Sequence, residues 1–121
     1  MALGFSTAAA NADLDTQGST YPWIKLHTGA PGAAGTTAAA TETTRKQATW
    51  ASASAASKAS SADLVWTSVA GSEQYTHFSM WTASTAGTFG GSGTITANAV
   101  TAGDTFTIPS GSLTLTLPVA T

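Results

Sequence analysis

Along most of the chain, short stretches of alternating apolar and polar residues are separated by turns built from Gly, Pro, Ser and Thr. At residues 21–28 the alternation puts Ile24 and Leu26 on one face and Trp23, Lys25 and His27 on the other. That is the pattern of a strand with one buried face, and Pro22 suits its start. The period recurs at residues 63–69, with Leu64 and Trp66 set against Val65 and Thr67. At residues 74–82 it sets Tyr75, His77, Ser79 and Trp81 against Thr76, Phe78 and Met80. The intervening 70–73 supplies a turn, so the two stretches read as a hairpin. Further strands are expected at 45–52, 94–100 and 105–108, and Leu-Thr-Leu-Thr-Leu at 113–117 closes the series.

Between these stretches the pattern fades. Residues 29–44 contain no large apolar side chain and read as a long loop, a length usually reserved for contacts or function. The Ala/Ser tract 51–61 reads as an extended edge with a loop, and 88–93 as a flexible Gly-rich turn. One segment departs from period two. Residues 6–17 are alanine-rich, with Ser6 or Thr7 as cap and Gly18 as stop, which predicts a short helix. Leu3, Phe5 and Leu14 give it something to bury.

Seven or eight short strands with Gly/Pro punctuation predict an all-β fold: an antiparallel β-sandwich, jelly-roll-like, with a short N-terminal helix. Residues 1–19 form the helical lead-in and 20–121 a single β-sandwich domain. The expected core is Ile24, Leu26, Trp50, Leu64, Trp66, Phe78, Met80, Ile95, Phe106, Ile108, Leu113, Leu115 and Leu117.

Composition changes the picture in one respect. Only 8% of the 121 residues are charged, against about 25% in average domains. Ala, Thr, Ser and Gly make up more than half of the chain. Such a surface offers little repulsion between copies. A net charge of -2 with four basic residues gives no electrostatic footprint for nucleic acid. No apolar run reaches the roughly 20 residues of a membrane helix, and the N-terminus lacks the basic and apolar regions of an export signal. No partner is therefore expected among nucleic acids or membranes. The absence of Cys removes disulfides, thiolate metal sites and thiol nucleophiles.

Candidate chemistry is sparse. The stretch Gly90-Gly91-Ser92-Gly93-Thr94 lacks the final Gly of a nucleophile elbow and opens no helix. His27 and His77 are two ligands at most, where a metal site needs three or four. The six acids are scattered, and Asp13 and Asp15 point to different sides of a helix. The loop after the first strand lacks the Gly-Lys-Ser/Thr ending of a phosphate loop. The sequence predicts no enzyme, no cofactor and no metal. Trp23, facing outward, is left to contact the N-terminal helix or another subunit, with a sugar ring as a third option.

Trp23-Ile24-Lys25-Leu26-His27-Thr28-Gly29-Ala30-Pro31-Gly32, followed by Thr41-Glu42-Thr43-Thr44-Arg45, resembles a family of small virion proteins from phages of actinobacterial hosts. Tyr75-Thr76-His77-Phe78-Ser79-Met80-Trp81, residues 87–91 and residues 102–108 carry the resemblance through the chain, over about 20–121. Ala30 stands where that family commonly has Asp, which argues against an ion at this turn. The resemblance implies a structural component of a phage particle. Without a coiled-coil or collagen-like segment, a decoration protein on the capsid exterior is expected first. Its partners would be the major capsid protein and sister copies, most simply as a trimer at three-fold positions. A minor tail or tail-fibre component contacting the host surface or its glycans is the alternative. The interface candidates are Leu3, Phe5, Trp23, His27, Pro31 and Arg45.

Overall fold

The structure is a computed structural model that describes residues 3–121, so the first two residues of the expected 1–19 segment lie outside it. Among the described residues one helix precedes eight strands: α1 (Thr7–Thr20), β1 (Trp23–His27), β2 (Lys46–Gln47), β3 (Ser57–Ala59), β4 (Leu64–Trp66), β5 (Glu73–Trp81), β6 (Phe89–Val100), β7 (Phe106–Ile108) and β8 (Thr114–Thr116). All strand pairs are antiparallel. The main sheet has the order β2-β1-β5-β6, and two smaller pairs, β3-β8 and β4-β7, complete the fold. The fold is therefore all-β with a short N-terminal helix, as the periodicity predicts.

The core forms where the smaller pairs meet one face of the main sheet. Ile24 lies opposite Met80 and Leu26 opposite Phe78 across β1 and β5, and all four are buried. From β4 and β7 come Leu64, Trp66, Phe106 and Ile108, with Tyr75 set edge-on against Phe106 at a centroid distance of 4.9 Å. Tyr75 and Val69 join the expected core, whereas Trp50, Ile95 and Leu115 pack at its border half-buried. Leu117 also stays half-exposed. Tyr75 enters where the β5–β6 register shifts, between Tyr75 and His77. The extra residues of this irregularity lie on β6, between Thr94 and Asn98, and Tyr75 and Phe78 both enter the core cluster.

Three expectations are corrected. The hairpin of 63–69 with 74–82 does not form. Both edges of β5 are taken by β1 and β6, and β4 pairs with β7, Leu64 opposite Ile108 and Trp66 opposite Phe106. Gly18 is not a helix stop. It is buried inside α1, where a Cβ would come within 2.6 Å of Lys58 and 3.1 Å of Trp50, so it marks the closest approach of helix and β3. The Gly-rich 88–93 is not a free turn but the start of β6. A Cβ on Gly90 would sit 2.1 Å from the Tyr21 ring, and one on Gly93 would sit 2.8 Å from Phe78. The glycines let two aromatic rings lie flat against strand backbone.

The helix has a weak apolar face of its own, with Ala10, Leu14 and Gly18 buried, and its docking is largely polar. Ser6 caps it by accepting from the Ala9 N–H. Asn11 Oδ1 accepts from Ala56 N, and Asp15 Oδ1 accepts from Ala53 N and from Lys58 Nζ, the last at 2.6 Å. The Lys58 hydrogen bond, followed by that from Ala53, holds the Asp15 carboxyl below its usual range. Gln17 Nε2 reaches across to donate to Gly90 O at 2.9 Å.

Candidate functional site

The second face of the main sheet gathers the polar and aromatic residues that the alternation assigns to it. Trp23 lies opposite Trp81, Lys25 opposite Ser79 and His27 opposite His77. This face is roofed rather than open. The loop after β1 folds back over it, with Ala39 bridging to His27 and Thr28 N donating to Ala38 O. Within this loop Pro31 and Gly35 are buried, and Gly35 meets the Phe89 ring.

Under the roof runs one continuous hydrogen-bond chain. Trp81 Nε1–H can only donate, and it does so to Ser79 Oγ at 2.7 Å. Ser79 Oγ also lies 2.7 Å from His27 Nε2, and His27 Nδ1 lies 2.9 Å from the Thr37 carbonyl. A carbonyl can only accept, so Nδ1 carries the proton and Ser79 donates to Nε2. The tautomer is thereby fixed with every group satisfied. His27 and Ser79 are both completely buried; their contact joins β1 to β5, and the His27–Thr37 bond ties the roof to the sheet. Burial lowers the His27 pKa from its ordinary 6.5 against the opposing Thr37 bond, and the Lys25 and His77 charges lower it further.

Arg45 closes the far end of the same face. Its guanidinium lies 4.3 Å from the centre of the Trp81 ring and donates from Nη1 to the carbonyls of Ala83 and Ala86, at 2.9 and 2.7 Å. A planar group that stacks on an indole while serving two carbonyls is a task for Arg rather than Lys. Trp81 itself is 8% exposed, and Phe89 flanks it at 5.5 Å. The acidic-Thr-Thr-Arg segment is explained in the same way. Glu73 accepts from the N–H groups of Thr41 and Glu42, while Glu42 accepts from Thr44 and Ala70. Glu73 thus binds the long loop to the start of β5, and Glu42 binds it to the connection between β4 and β5.

The six interface candidates therefore separate. His27 and Pro31 are buried and not open to another chain: His27 lies on the sheet face that the alternation assigns to it, but the loop that contains Pro31 covers that face. Trp23 and Arg45 are half-buried; Trp23 pairs with Trp81 across β1 and β5, and Arg45 stacks on the Trp81 ring. Leu3 is 71% exposed, and Phe5 is half-buried, bridging to Val119. Phe5 also lines a groove of about 600 Å³ between α1, β6 and β8, together with Leu14, Met80, Leu115 and Leu117. Sequence reasoning missed Gln17, Glu42, Glu73 and Ser79. Gln17, Glu42 and Glu73 hold mainly backbone atoms, which leave no mark in a side-chain pattern, and Ser79 is tied to His27 on a strand 52 residues away. Among the described residues no three His, Asp or Glu side chains converge as metal ligands would.

Residues 4–116 match the family described as podophage GP4 fiber I protein gp80. The match runs from the residue before Phe5 to the last residue of β8, and so takes in every helix and strand. The chain belongs to the gp80 fiber I protein family. It is a phage structural protein, and its place is in the virion. No curated protein matches the chain. For a gp80-family member, the roofed face reads as scaffold: its polar groups are spent on holding loops.

Proposed function

We propose that the chain is a structural module of a phage fibre rather than a decoration protein of the capsid shell. The observation that carries this reading is the match to a fibre-protein family along the whole ordered fold, residues 4–116. The molecule's build supports it. Long loops are fastened to the sheet by Glu42, Glu73, Arg45 and the His27–Ser79–Trp81 chain, which suits a rigid element that bears load outside the particle. A surface of hydroxyls and methyls with little charge suits close contact between neighbouring protein subunits. The reading is tested by labelling intact particles with gold-conjugated antibody against this chain, alongside a reconstruction of head and tail. Label and matching density on the fibres are expected. Label over the head exterior, with density on the shell, would overturn the proposal and restore the decoration reading.

A further inference from the structure

The four-stranded sheet ends at β6, and among the described residues no backbone hydrogen bond joins β6 to any strand but β5. A free edge is a template for another strand, and proteins usually guard theirs with charge, proline or brevity. β6 has none of these. Phe89–Val100 is 12 residues long and contains no Asp, Glu, Lys, Arg or Pro. Only its first part is occupied, where Gln17 caps Gly90 O. Further along, the Thr96 carbonyl is served merely by the side chain of Asn98. The one guard present is the register irregularity near 95–97, which bends the edge without closing it.

A second observation points the same way. Beneath β6 the layers do not close. The groove of about 600 Å³ and a smaller one of about 240 Å³ lie under it, bordered by β7, β8 and α1. Phe5, Ile95, Val100, Leu115 and Leu117 are left half-covered along this side.

We propose that β6 pairs antiparallel with β6 of a second copy of this chain, joining two four-stranded sheets into one of eight. The occupant follows from length and charge. Every other strand in the fold with an open edge has two or three residues, so the one edge able to match the stretch from Gly91 to Val100, about 33 Å at ~3.3 Å per residue, is β6 itself. Antiparallel self-pairing places the strand against its own uncharged sequence, with nothing to repel. Such a contact is isologous and closes after two copies. The three-fold arrangement expected from shell geometry has no counterpart in this edge, which selects a two-fold. The inference is independent of where on the particle the chain sits.

The absence of Cys allows a clean test. Single-cysteine variants Ser92→Cys, Thr94→Cys, Thr96→Cys and Asn98→Cys, all at exposed positions, are oxidised and compared with Thr107→Cys on β7. Disulfide-linked dimers are expected to peak at one β6 position and fall away on both sides, as a two-fold axis requires. In parallel, sedimentation equilibrium of the unmodified chain should fit a monomer–dimer equilibrium. The double variant Thr94→Lys/Thr96→Lys should weaken it by on the order of tenfold or more, with an unchanged thermal midpoint showing that the fold is intact. A monomer at all concentrations, open-ended aggregates, or crosslinking at Thr107 as strong as on β6 would each overturn the proposal. Should the lysine variant fail to fold, the cysteine scan decides alone.

Discussion

At the scale of single residues, His27 shows how much a period-two pattern leaves out. Alternation assigns it correctly to the face opposite Ile24 and Leu26, and a histidine on an outward face suggests a contact or a ligand. What the pattern does not contain is the loop 29–44, which covers that face and turns the imidazole into an internal fastener. The consequence is a pH dependence with a definite sign. In the unfolded chain His27 protonates near its ordinary 6.5, whereas in the folded protein burial lowers that value. Protonation would also put a second N–H against Ser79 Oγ, which already accepts from Trp81. The serine proton would then lose its acceptor. Below about 6.5 the unfolded state therefore binds more protons than the folded one, and stability falls as pH drops. Urea midpoints should be flat above neutrality and decline from about pH 6.5 downward toward the folded-state value. The variant His27→Gln should lose this decline between pH 7 and 5, whatever its stability at pH 7. An unchanged slope in the variant would show that the dependence arises elsewhere.

At the scale of elements, the strands with strict alternation were readable, and those with unusual backbone demands were not. β1, β5 and β8 stand where apolar residues recur at every second position. The first part of β6 was hidden because Gly90, Gly91 and Gly93 look like a turn before the strand at 94–100, yet Gly90 and Gly93 admit the Tyr21 and Phe78 rings. Partner choice was also hidden: β4 and β5 are adjacent in sequence, but Phe106 and Ile108 offered β4 the better apolar match. The turn before β3 is a third case. Ser54 and Ser57 exchange backbone hydrogen bonds at 2.8 and 2.9 Å around Ala55 and Ala56, both at positive φ, 52° and 59°. This is the pattern of a type I′ hairpin turn, which prefers Asn-Gly. Alanine there costs roughly 1–2 kcal/mol per residue. The helix compensates, since Asn11 Oδ1 accepts from Ala56 N and holds the turn in place. Ala55 is exposed, so Ala55→Asn should raise stability by about 0.5–1 kcal/mol, read as a higher urea midpoint with unchanged slope. A loss of stability would mean that the turn is not strained at this position.

At the scale of the whole molecule, the scarcity of charge decides how the protein responds to its surroundings. Four basic and six acidic residues leave little for salt to screen, and the short ion pair between Asp15 and Lys58 is half sheltered by the buried lysine stem. Exposed pairs contribute little in any case. Stability must instead come from the apolar core of β1, β4, β5 and β7 and from satisfied buried polar groups. Screening acts on charges, while sulfate acts by its exclusion from protein surface of every kind. The two salts therefore separate the contributions. Raising sodium chloride from about 0.05 to 0.5 M shortens the screening length from above 10 Å to below it, yet should move the thermal midpoint by no more than a degree or two, within what roughly 0.5 kcal/mol produces. Sodium sulfate at equal ionic strength should raise the midpoint clearly and strengthen pairing at the uncharged β6 edge. A midpoint that falls steeply with chloride would show that the few charges carry more of the fold than their burial implies. It would shift the weight from the core to the Asp15–Lys58 contact, which holds α1 to β3 by charge.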